Sequence, residues 1–147
     1  MRSLQSMLSE YSESHQNRTN QIIHKICVPA IMISLLGLLW LIPAPEMGYL
    51  VNWATIFCAL CLLYYVLLSF KYFLFMLPAT ALMIYSLKFI DETGYLLSFS
   101  VITFVLSWVL QVWGHKIEGK KPSFIKDLLF LLIGPLWVTK SLFNLKD

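Results

Sequence analysis

Long uncharged runs alternate with short polar breaks along this chain, and the spacing predicts helices that cross a membrane. Ile26–Ala44 carries no charge for 19 residues, close to the ~20 that span a bilayer core as a helix. Pro29 falls in its first turn, where a missing N–H costs little, and Pro43-Ala44-Pro45 ends it. Tyr49–Phe70 gives 22 uncharged residues. Lys71 is the whole polar content of the next connection, which predicts a tight hairpin. Tyr72–Leu87 follows, with Pro78 inside it as an expected kink and Lys88 snorkelling beyond its end. Asp91–Gly94 reads as a turn, and Tyr95–Gly114 supplies 20 more uncharged residues. Trp40, Tyr49, Tyr72, Tyr95 and Trp113 lie at run ends, as interfacial aromatics do. Leu128–Thr139 has only 12 uncharged residues and is interrupted by Gly134-Pro135; it suits an interfacial, re-entrant or fifth transmembrane helix. Ahead of the first run, Leu4, Met7, Leu8 and Tyr11 give Ser3–Tyr11 the spacing of an amphipathic turn or two.

The predicted fold is therefore all-α: a polytopic membrane helical bundle of four transmembrane helices plus that short C-terminal segment. Residues 1–147 form a single membrane-embedded domain. Residues 1–25 are a polar N-terminal segment, 26–114 the four helices, 115–127 a second polar motif and 128–147 the C-terminal apolar segment. Composition agrees. Hydrophobic residues make up 59% and charged residues 13%, against roughly 45–50% and 25% in a soluble domain. The net charge of +3 is modest and not interleaved with a soluble surface, so nucleic acid is not an expected partner. Residues 1–25 lack a short basic start followed at once by an apolar core, so no cleaved signal peptide is expected. Cys27, Cys58 and Cys61 all fall in apolar stretches. Cys58 and Cys61 have CxxC spacing without a second pair, which reads as helix packing and not as a metal site.

Charge sets the orientation. With the N-terminus cytoplasmic, Arg2, Arg18, Lys25, Lys71, Lys116, Lys120, Lys121 and Lys126 fall inside. Lys88 falls outside, joined by Lys140 and Lys146 if the tail crosses, so the positive-inside rule favours this arrangement. Four crossings then return the chain to the cytoplasmic face just before His115. All three histidines, His15, His24 and His115, flank one membrane face.

Imidazole is the commonest metal ligand, with carboxylate its companion in non-haem iron sites. His115 and Glu118 share a helix face at i, i+3. His15 and His24 are nine apart, which on an unbroken helix would set them on opposite faces about 13 Å apart. A shared ion therefore requires a backbone break, expected at Gln16–Asn20, whose Asn and Thr side chains favour caps and turns. Each histidine alone also reads as an interfacial side chain or helix cap, and Asn17 and Asn20 as caps. Lys116, Lys120 and Lys121 also read as topology markers or anionic-lipid contacts.

Tyr11, His15, Asn17, Asn20, His24 and Pro29 in YSESHQNRTNQIIHKICVP resemble the opening motif of the 2-hydroxy fatty acid dioxygenase family. Gln111, Gly114, His115, Glu118 and Pro122 in QVWGHKIEGKKPS are similar to its second motif, and Leu131–Trp137, LLIGPLW, looks like bacterial members. The resemblance covers nearly the whole chain. It implies an Fe(II)-dependent dioxygenase that uses O2 to convert a 2-hydroxy fatty acid to the acid one carbon shorter, an α-oxidation step. His15, His24 and His115 match the family's expected iron ligands, with Glu118 as a fourth ligand or a group behind them. The chain departs from the family pattern in two places. The histidine-to-glutamate spacing is one residue shorter, and Cys27 stands where glycine is usual. Arg18, Asn20, Lys116, Lys120 and Lys121 are the candidates for binding the substrate's polar head, the charged ones by pairing with its carboxylate. The implied partners are the 2-hydroxy fatty acid, O2 and membrane lipid, with a homo-oligomer left open. A bacterial inner membrane is favoured over the endoplasmic reticulum, because the chain is compact and lacks a retrieval signal. Two other readings stand beside this one: a non-catalytic lipid-binding or assembly protein with structural histidines, and, last, a transporter.

Overall fold

The computed structural model describes residues 4–43, 51–119 and 132–143. Among them the chain is helical throughout: α1 (Leu4–Glu13), α2 (Arg18–Trp40), α3 (Trp53–Leu68), α4 (Phe70–Glu92), α5 (Leu96–Glu118) and α6 (Ile133–Phe143). Three of these helices, α2, α4 and α5, are each 23 residues long and apolar enough to cross a membrane.

The boundaries follow side-chain chemistry more closely than hydropathy. α2 starts eight residues before the first uncharged run, because Asn17 Oδ1 accepts hydrogen bonds from the N–H groups of Thr19 at 2.9 Å and Asn20 at 3.4 Å. Capping by Asn satisfies donors that the first turn leaves unpaired. Pro29 consequently lies inside α2 and not in its first turn; its ring faces the carbonyl of Lys25, four residues back. α3 is the largest departure from the hydropathy reading. Asn52 opens it with a reciprocal capping box to Thr55, and Ser69, extended at φ −169°, closes it. Sixteen residues remain helical out of a run of 22, a rise of about 24 Å against the ~30 Å hydrocarbon core. The hairpin to α4 is tight as expected, turning on Ser69 alone, with Lys71 already inside α4. α4 continues through Pro78 to Glu92, so the predicted four-residue turn shrinks to Thr93 and Gly94. Gly94 adopts φ +76°, a left-handed conformation that glycine takes without a Cβ penalty.

The chain divides into two compact units. One comprises Ile31–Val105. Its core is Leu36, Trp40, Ala54, Cys58, Leu87 and Leu96, with Trp40 Nε1 donating to Asp91 Oδ2 at 3.1 Å. A Cβ on Gly37 would overlap Ser100 Oγ, so a small residue lets those helices approach closely. The cysteines here are free and buried. Only 11% and 17% of the apolar windows of α4 and α5 are buried by protein. Their outward Leu74, Leu82, Phe89, Val105 and Val109 present the apolar surface that lipid, and not water, would solvate. The other unit joins the two ends of the chain, Met1–Ala30 and Leu106–Asp147, and holds every histidine.

Candidate metal centre

His15, His24 and His115 converge. Ring centroids stand 4.1 Å apart for His15 and His24, 4.9 Å for His24 and His115, and 5.4 Å for His15 and His115. One ligand nitrogen from each lies within 4.8 Å of the others, a spread comparable with twice the ~2.0–2.1 Å bond of imidazole nitrogen to a divalent ion. All three side chains are buried. The break that makes this possible lies at Ser14–Asn17. It begins earlier than expected: Arg18, Thr19 and Asn20 already belong to α2. The break places His15 outside any helix, so its ring can turn onto His24 despite the nine-residue separation.

The protein fixes how the rings face. His15 Nδ1 lies 2.6 Å from the carbonyl of Tyr11, and His24 Nδ1 3.0 Å from the carbonyl of Asn20. A neutral imidazole donates Nδ1–H in such a bond and leaves the lone pair on Nε2, the arrangement that usually supports metal-bound histidine. Tyr11 also stacks on His15 with centroids 4.2 Å apart and planes 14° apart. Burial first, and then His15 beside it, push His24 down to about 3, against the opposing hydrogen bond to Asn20. His24 lies ahead of the uncharged run and stays neutral there, as a metal ligand must be. His115 Nδ1 is buried and has no hydrogen-bond partner among the described residues. An orphaned buried nitrogen aimed among two further imidazoles fits a bound cation better than it fits a packed core.

Glu118 does something other than face the three rings. Its Oε1 accepts from the backbone N–H of Gln16 at 2.9 Å and of Asn17 at 3.2 Å. Its Oε2 accepts from Asn17 N–H at 2.9 Å and from Asn20 Nδ2 at 3.1 Å. The carboxylate thus clasps the break that carries His15. Loss of water around it pulls the carboxyl upward, but the donors of Asn17, Asn20 and Gln16, with His15 nearby, outweigh this and hold it below the ordinary range. Asn20 is fully buried, with its amide shared between Glu118 and the Ser14 carbonyl. A Cβ on Gly114 would overlap Asn20 Oδ1, which gives a physical reason for glycine next to His115.

The remaining residues chosen from sequence scatter. Arg18 and Lys116 are exposed, while Lys120 and Lys121 lie outside the described residues. Two aromatic groups that the site list omitted stand close instead. Trp137 of α6 is 5.4 Å from His15 and 5.3 Å from Tyr11 by ring centroid, and its Nε1 donates to Ser12 Oγ at 2.9 Å. A cavity of about 760 Å³ opens beside them, with His15, Ser12, Gln21, Trp137 and Lys140 in its wall. The apolar C-terminal segment is therefore part of the site's surroundings. Its only sequence signal was the LLIGPLW motif.

These features define a class: a helical protein with membrane-length helices and a buried three-histidine cluster suited to a metal ion. Within that class the family is defined by sequence. The chain belongs to the family described as 2-hydroxy-palmitic acid dioxygenase Mpo1-like, whose model matches residues 1–145. No curated protein and no solved structure matches it.

Proposed function

We propose that this protein is a membrane Fe(II)-dependent dioxygenase that shortens a 2-hydroxy fatty acid by one carbon. The observation that carries the reading is the convergence of His15, His24 and His115 in a chain of this family. The three imidazoles would hold the ion, with Glu118 fixing the segment that carries His15 and not binding the ion itself. Iron, when bound, supplies the redox-active centre that O2 chemistry needs; zinc fits the same donors but has no redox chemistry. The overall conversion balances without an external reductant. The C1–C2 bond breaks, C1 leaves as CO2, C2 becomes the new carboxyl, and one O2 takes up the four electrons released, with one water formed. The chain contributes neutral, pre-oriented rings, a clasped backbone and an apolar wall of Tyr11 and Trp137 that excludes water from His15. Arg18 and Lys116, at the mouth of the site, would draw the anionic substrate to it, together with Lys120 and Lys121.

The site also bears on topology. His15 and His24 lie at the start of α2 and His115 at the end of α5, so a shared ion requires an even number of crossings between them. With α2, α4 and α5 long enough to cross, α3 would supply the fourth crossing as a short span. Basic residues then place the N-terminus and both histidine motifs in the cytoplasm, of a bacterial inner membrane.

Protein purified without oxygen should hold one Fe(II) per chain and, on exposure to O2, convert 2-hydroxypalmitate to pentadecanoate with release of CO2. His24→Ala and His115→Ala should each lose the metal and lower turnover at least 100-fold. Retained turnover in both variants would sink the proposal. An absence of bound metal, with histidine variants changing only stability, would favour a lipid-binding or assembly role.

A further inference from the structure

The cavity beside His15 has a chemistry of its own. Its volume of about 760 Å³ falls within the ~300–1,000 Å³ usual for small-molecule sites. Among the described residues in its wall, Lys140 carries the only formal charge, and no carboxylate is present. Lys140 is half-buried in the last turn of α6, where its ammonium acts in a lower dielectric than bulk water and attracts an anion more strongly. Gln5, Ser12 and Gln21 add polar groups. Two of these are already held in place: Gln21 Nε2 donates to the His15 carbonyl at 2.8 Å, and Ser12 Oγ both donates to the Leu8 carbonyl at 2.8 Å and accepts from Trp137. One side of the wall is His15 itself.

We propose that this cavity, between α1 and α6, receives the head group of a 2-hydroxy acid, with Lys140 pairing with its carboxylate. The proposal rests on the function proposed above and adds the element that recognises the substrate. A carboxylate held by Lys140 leaves the adjacent C2 and its hydroxyl to turn toward the wall that His15 forms, with Leu8 and Trp137 as apolar surface for the first methylenes. The exposed Arg18 and Lys116 then serve attraction, and Lys140 serves discrimination between charged and neutral head groups.

Equilibrium binding to the anaerobic, metal-loaded protein tests this independently of turnover. The probes are 2-hydroxypalmitate and its neutral amide, measured in one detergent with and without anionic phospholipid. Wild type should bind the acid about tenfold or more tightly than the amide. Lys140→Gln should remove that preference while metal content stays the same, and Lys140→Arg should restore most of it. Ser9→Phe, placed on the exposed side of α1 at the cavity wall, should weaken both probes without loss of metal. A preference for the acid that survives in Lys140→Gln overturns the proposal, as does a Lys140 effect that appears only when anionic phospholipid is present. If the acid binds in a Lys140-dependent way but is never shortened on addition of O2, the head-group site stands and the dioxygenase reading fails.

Discussion

Glu118 is half-exposed, yet it answers two backbone N–H groups and one side-chain amide around the break before α2. Removing it leaves those donors facing each other with no acceptor. Glu118→Ala should weaken metal binding by roughly 10–100-fold, the usual effect of losing a group that orients a ligand, as measured by competition with a chelator. Its pH signature has a definite sign. The carboxyl lies below its ordinary value in the folded protein, so its contribution is fully present above the unfolded-state range near ~4.3 and is lost as pH falls through the lowered value. Wild type and Glu118→Gln should differ in thermal stability near neutral pH and converge at the acid end of a melting series. Gly114→Ala tests the other side of the clasp. Its Cβ would overlap the buried Asn20 Oδ1, and overpacking of this kind costs about 1–3 kcal/mol. Both the melting temperature and the retained metal should fall together, since the Asn20 carbonyl also orients His24.

The pairing of α1 with α2 shows what one break accomplishes. α1 buries Leu8 and Tyr11, the chain leaves helical geometry at Ser14, and Asn17 restarts it. Asn17→Ala removes the cap but keeps the backbone N–H that Glu118 accepts. It should cost about 0.5–2 kcal/mol of stability and affect chelator competition much less than Glu118→Ala. An equal loss of metal in the two variants would contradict the assignment of separate roles. α6 was the segment for which the sequence left most alternatives open. Its 12 uncharged residues fit several membrane placements, and hydropathy alone carries no information on what a short apolar helix packs against. The structure gives it a side facing Tyr11, Ser12 and His15 through Trp137.

At the scale of the molecule, the histidine cluster and the membrane must agree on parity. Single cysteines at Arg18, Glu92 and Lys116, all exposed, should show the pattern in sealed right-side-out vesicles treated with an impermeant maleimide. Position 92 should react, whereas 18 and 116 should react only after the membrane is opened. Labelling of 18 and 116 from opposite faces would rule out four crossings. The sequence by itself determined a great deal here: helical class, runs of near-membrane length, the break demanded by the nine-residue spacing of His15 and His24, and the three histidines as a set. Each of these depends on local periodicity or on the ordered list of residue types. Only the tertiary structure decided where the helices start and stop, because caps at Asn17, Asn52 and Ser69 override hydropathy. It alone turned Glu118 toward the α1–α2 break, set Tyr11 and Trp137 against His15, and opened a cavity with Lys140 in its wall. Those contacts join residues about 100 or more positions apart. No local pattern encodes them, since they exist only once the two ends of the chain have packed together.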